Sequence, residues 1–124
     1  MKKVTGANLI AMLALVAILT GCSSNAGDAK RGQDIFLTGG SAVVNCQGCH
    51  TLNGSRLIGP SFKGISAVAG SRIEGLSAEE YLRQSITHPS SYIVDGYPNV
   101  MPVVFRYALE DQEVNDLIAF LMTQ

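Results

Sequence analysis

The chain has 124 residues and a formal net charge of −1, so it lacks the basic excess that a nucleic-acid partner requires. Two His among 124 residues are too few for a histidine-based catalytic cluster. No Gly-x-Ser-x-Gly elbow or Gly-rich nucleotide fingerprint is present either, which leaves little of the usual equipment of an enzyme.

The N-terminus reads as an export signal. Met1-Lys2-Lys3 is a short basic start, and Leu9 to Leu19 is an unbroken apolar run of 11 residues, long enough for a signal peptide and short of the ~20 needed to span a bilayer. The ending Leu19-Thr20-Gly21-Cys22 resembles the lipobox of bacterial lipoproteins, which implies removal of residues 1–21 and lipid modification of Cys22. Cleavage takes away Lys2 and Lys3, shifts the formal charge to −3 and leaves about 100 residues, the size of one domain. Residues 22–27 then form a lipidated tether of small polar residues. Its Ser23–Gly27 stretch reaches at most about 18 Å and keeps the domain, 28–124, near its membrane.

Asp28 can cap a helix running to about Leu37, closed by Gly39-Gly40. Cys46-Gln47-Gly48-Cys49-His50 follows, the C-x-x-C-H attachment sequence of c-type haem. If the five residues form one helical turn, both sulfurs lie on one face, able to reach two vinyl groups of a porphyrin, and His50 points at the iron. A thioredoxin-like pair wants a βαβ context, and a zinc half-site wants more Cys or His nearby. From Thr51 to Gly75 the composition predicts a Gly- and Ser-rich loop around the cofactor. Ser77 and Glu80 form a capping box for a helix with Tyr81, Leu82, Ser85 and Ile86, stopped by Pro89. A second loop runs to about Tyr107. Gln112 to Thr123 then carries Val114, Leu117, Ile118, Leu121 and Met122 at helical spacing. Glu110, Asp111, Glu113 and Asp116 read as the solvated face of this helix. With few aromatic side chains, four Phe, four Tyr and no Trp, a buried haem would supply much of the apolar mass of the core.

Three helices, long loops and a haem turn make an all-α layout, and from about Asp28 onward the chain resembles a class I cytochrome c. Gly32 and Phe36 match that family's first-helix pair, and Leu117 and Phe120 match the last-helix pair that packs across it. The family's cap of the last helix is a Ser or Thr, where this chain has Leu109-Glu110-Asp111, so the helix start is open between Glu110 and Asp111. Ile58-Gly59-Pro60 resembles the segment whose proline carbonyl accepts a hydrogen bond from the proximal histidine. Such an acceptor holds the proton on Nδ1 and frees Nε2 for iron.

Candidates for the second axial ligand are Met101, His88 and Met122. Met122 has core spacing, and His88 sits at a helix end. Met101 lies between Pro98 and Pro102, where the backbone is stiff enough to hold a thioether in place. Its loop is similar to that of cytochrome domains found within respiratory complexes and fused to the copper-bearing subunit of haem-copper oxidases. The resemblance implies one haem c held by two thioethers to Cys46 and Cys49, with His50 and Met101 on the iron and Pro60 behind His50. The expected role is electron transfer between membrane-bound respiratory or photosynthetic partners, on the extracytoplasmic side of a bacterial membrane. The protein could serve there as a free carrier or as a fixed subunit of a larger complex. The alternative is a haem sensor or peroxidase-like protein with a labile distal ligand.

Overall fold

The computed structural model describes residues 25–124; the signal segment, Cys22 and the start of the tether lie outside the described residues. The helices are α1 (Ala29–Thr38), α2 (Ile65–Val68), α3 (Ala78–Thr87), α4 (Phe105–Ala108) and α5 (Asp111–Leu121). Single 3-10 turns cover Gly40–Ala42, Ala69–Ser71 and Pro89–Ser91, and no strand occurs among the described residues. The fold is all-α.

The expected caps account for the helix ends. The Asp28 carboxylate accepts from the N–H groups of Lys30 and Arg31, both at 2.9 Å. Gly39, at φ +93°, closes α1 by donating to the Ile35 carbonyl, a left-handed conformation that favours glycine. In α3 the capping box is reciprocal: Glu80 N–H donates to Ser77 Oγ and Ser77 N–H to Glu80 Oε2. The open question at α5 resolves to Glu110 as the N-cap, with Asp111 the first helical residue. Glu113 takes over the capping, accepting from Glu110 N–H and, on its other oxygen, from Ser41 N–H. One carboxylate thereby ties the start of α5 to the turn that leads into the haem motif.

Helices α1 and α5 cross at Gly32. A Cβ there would stand 1.9 Å from the Asp116 carbonyl oxygen and 2.7 Å from Phe120 Cβ, so only glycine permits this approach. Phe36 meets Phe120 with ring centroids 5.6 Å apart, and Leu117 is buried beside them. The core continues through Ile35, Val114, Ile118 and Leu121 on these helices to Tyr81, Leu82 and Ile86 of α3 and Phe105 of α4.

Three local expectations change. The loop 51–75 contains α2 and a 3-10 turn, and the loop after Ser90 contains α4; both helices are four residues long, too short to leave a helical period in the sequence. The packed domain begins before Asp28, because Asn115 Nδ2 donates to the Asn25 carbonyl and Gln112 Nε2 to the Ala26 carbonyl, which lays 25–27 against α5. Asp116 is not on a solvated face: it is 2 % exposed.

Asp116 is fully partnered in that position. It accepts from Arg31 Nε at 2.8 Å, Arg31 Nη2 at 3.0 Å, Asp28 N–H at 2.7 Å and Gln112 Nε2 at 2.9 Å. The Arg31 guanidinium is the main reason its carboxyl sits at about 2, against an ordinary value of about 3.9. A carboxyl whose folded pKa is depressed stabilises the fold above its unfolded pKa and ceases to do so as pH falls through the folded one. Arg31 is mostly exposed, which discounts the effect to on the order of 1–2 kcal/mol. Asp116→Asn is therefore expected to lose about that much in urea unfolding at pH 6, and the deficit is expected to shrink between about pH 4 and pH 2. An equal deficit at pH 6 and pH 2.5 would show that the ion pair is not its source.

Candidate functional site

The C-x-x-C-H segment is held by the end of α1. The Phe36 carbonyl accepts from both Cys46 N–H (3.1 Å) and Gln47 N–H (3.3 Å), and the Gln47 side chain donates to the Leu37 carbonyl. Cys49 N–H and His50 N–H both donate to the Cys46 carbonyl, at 3.1 and 3.0 Å, and the Asn45 side chain accepts from Gly48 N–H. The pentapeptide is thus one helical turn, with Cys46 and Cys49 on the wall of a common cavity. Neither cysteine is in a disulfide. Burial pushes the Cys46 thiol up to about 11, so without a bound group it is a neutral thiol at physiological pH.

His50 is 8 % exposed, and its ring is fixed on several sides. Nδ1 lies 2.8 Å from the Pro60 carbonyl. A carbonyl only accepts, so the proton sits on Nδ1 and the Nε2 lone pair is free. Burial lowers the His50 pKa, opposed by the Pro60 bond, and keeps the ring neutral. Phe62 stacks on the imidazole with centroids 4.4 Å apart and planes 11° from parallel. Gly59 closes in so tightly that a Cβ there would lie 2.4 Å from His50 Cε1, which gives the glycine before Pro60 a steric reason. The segment is braced by Gly59 N–H donating to the Cys49 carbonyl, Phe62 N–H to the Thr51 carbonyl, and Ser61 Oγ to the same carbonyl.

The three candidate partners of His50 separate by position. Met101 is partly buried, packs on the core and lines the cavity with Cys46, Cys49 and His50. It also lines the adjoining apolar recess with His50, Phe36 and Phe105. His88 is exposed at the end of α3, its Nδ1 2.8 Å from Thr87 Oγ1, and Met122 packs against the core without lining the cavity.

The residues present fit a haem. Most of the wall is apolar, including Ile65, Leu82, Ile86 and Leu121, yet Arg72 also lines it, and its buried Nε has no hydrogen-bond partner in the protein. An apolar slot with thiols and an imidazole on one side, a thioether on the wall and an unsatisfied guanidinium N–H suits a flat apolar ring bearing carboxylates. Arg72 and Phe62 escaped the sequence reading. A lone Arg in a Gly/Ser-rich loop and a Phe after Pro-Ser carry no periodic signal.

A small helical domain whose C-x-x-C-H turn lines such a cavity is the layout of a haem-carrying protein. The model of the Cytochrome c family matches residues 29–124, and the chain belongs to that family. It is a carrier of covalently bound haem c of the kind that moves electrons outside the cytoplasm. Among the described residues no helix is long and apolar enough to cross a membrane. No curated protein matches the chain.

Proposed function

We propose that the protein carries one electron at a time through a single haem attached at Cys46 and Cys49 and ligated by His50 and Met101, tethered to a bacterial membrane by lipid on Cys22 and serving membrane-bound redox partners. The observation that carries this reading is that His50 and Met101 line one cavity while His88 and Met122 stand outside it. When bound, the haem supplies an iron that alternates between Fe(II) and Fe(III).

The chain's own residues do the rest. The Pro60 carbonyl and the Phe62 ring hold the imidazole of His50 in one orientation with Nε2 unprotonated, so no proton need move at that ring when an electron arrives. The Met101 thioether, a soft ligand, favours Fe(II) and raises the potential relative to a second imidazole. With His50 and Met101 both holding the iron, no position would be left for oxygen or peroxide to bind, which disfavours that chemistry. Arg72 offers its free N–H to a propionate and balances that charge inside the slot. Val44, Ile58 and Val100 line the cavity and are 44 to 57 % exposed. Exposed apolar side chains at the cavity edge support close apolar contact with a partner, as a subunit held in a larger complex would make.

The test uses the protein exported by a cleavable soluble signal with Cys22→Ser. It is expected to leave the membrane fraction as a red soluble protein and to titrate as one reversible one-electron wave. Two waves, or turnover of peroxide at a rate typical of an enzyme, would contradict the proposal.

A further inference from the structure

Arg56 lies in the segment between His50 and Pro60, and Tyr97 in the segment that leads to Met101. The two segments are 40 residues apart in sequence at their point of contact, and they meet beside the haem cavity. The Arg56 guanidinium carbon lies 4.2 Å from the centroid of the Tyr97 ring, a cation–π geometry. One of its Nη groups donates to the Gly96 carbonyl. Gly96 is at φ +82°, a left-handed conformation that L side chains rarely adopt. Tyr97 is itself part of the cavity wall. Among the described residues, the Arg56–Gly96 bond is the only hydrogen bond that joins segment 51–62 to segment 92–102. The second segment's other hydrogen bonds are Tyr97 N–H to the Val94 carbonyl, Val100 N–H to the Pro98 carbonyl and Ser90 Oγ to Asn99 Oδ1, and Tyr92 meets Tyr81 of α3 with ring centroids 5.8 Å apart. Nothing else of this kind connects the proximal side directly to the loop bearing Met101.

We propose that Arg56 is a positioning residue for the distal ligand, and that its contacts with Tyr97 and Gly96 form a strap that keeps Met101 on the iron. This rests on the reading of Met101 as the second axial ligand. A thioether is a poor match for Fe(III) compared with imidazole, so the oxidised protein depends on the stiffness of the loop to retain it. Moving segment 92–102 away from segment 51–62, one route by which Met101 leaves the iron, breaks the strap. The guanidinium is exposed, so holding the strap closed costs little desolvation.

The experiment is an imidazole titration of the oxidised holoprotein, followed by loss of the sulfur-to-Fe(III) absorption band. Arg56→Ala is expected to show the band without imidazole and to bind imidazole about tenfold more tightly than the unaltered protein. Arg56→Lys is expected to restore part of the resistance, because an ammonium can donate to Gly96 and sit over the ring without the flat stacking of a guanidinium. Arg31→Ala, on the α1–α5 side, is the control for general loss of stability and is expected to leave imidazole binding unchanged. If the unaltered protein has the band and Arg56→Ala binds imidazole no more tightly, the strap is overturned and the Met101 reading stands. If the unaltered protein lacks the band, both fall. If Arg31→Ala shifts imidazole binding as much as Arg56→Ala does, the effect is one of global stability and the strap is likewise overturned.

Discussion

Met101→Ala is expected to remove the sulfur-to-Fe(III) absorption band and open one face of the haem to small ligands, while His88→Ala leaves the spectrum and potential nearly unchanged. The contrast follows from placement. Met101 packs into the core and lines both the cavity and its inner recess, whereas His88 is exposed and occupied with Thr87. The fold is expected to survive Met101→Ala, because Cys46, Cys49 and His50 are held by α1 and the Pro60 segment and not by the distal loop. Truncating a partly buried Met costs at most the 2–5 kcal/mol of a core Met→Ala change. Met101→His is expected to restore six-coordination at a lower potential, since imidazole stabilises Fe(III) better than thioether does. Loss of the low-spin spectrum in His88→Ala, with Met101→Ala silent, would establish bis-histidine ligation instead.

The second large effect concerns attachment. Each thioether needs its own sulfur, so Cys46→Ala or Cys49→Ala leaves at most one covalent link and the double variant none. The double variant is expected to give no haem-dependent peroxidase stain on a denaturing gel. It is also expected to unfold at markedly lower temperature. The slot between α3, α4 and the loops would lose the apolar mass that its lining of Ile65, Leu82, Phe105 and Leu121 packs against, a larger loss than the 2–5 kcal/mol of one large-to-small core substitution. Persistent staining in the double variant would remove the attachment assignment.

The parts of this fold that could be read in the sequence are those set by local chemistry. Asp28, Gly39 and the Ser77–Glu80 pair mark helix ends because capping is a contact between near neighbours. Gly32, Phe36, Leu117 and Phe120 were legible through a family resemblance, and their contact follows from Gly32 giving α5 room to approach. The parts that could not be read depend on partners distant in the chain. Asp116 looks like one of four solvated acids until Arg31, Asp28 and Gln112 close around it. Helices α2 and α4 are single turns stabilised by packing and not by periodicity. Phe62 and Arg72 acquire their roles only when the loop after Pro60 folds back over His50 and along the cavity. In the site itself, Cys46, Cys49 and His50 announce themselves by spacing, whereas Met101 differs from His88 and Met122 in lining the cavity, a placement that depends on packing between distant segments.

Carbon monoxide binding to the reduced, unaltered protein tests the central claim most directly, because this ligand takes an open or weakly held position on Fe(II) and leaves a strongly shifted Soret band. A haem closed by His50 and Met101 and used only to pass electrons is expected to show no such shift at neutral pH. Prompt and complete carbon monoxide binding there would contradict the account and place the protein among haem sensors or peroxidase-like proteins with a labile distal ligand.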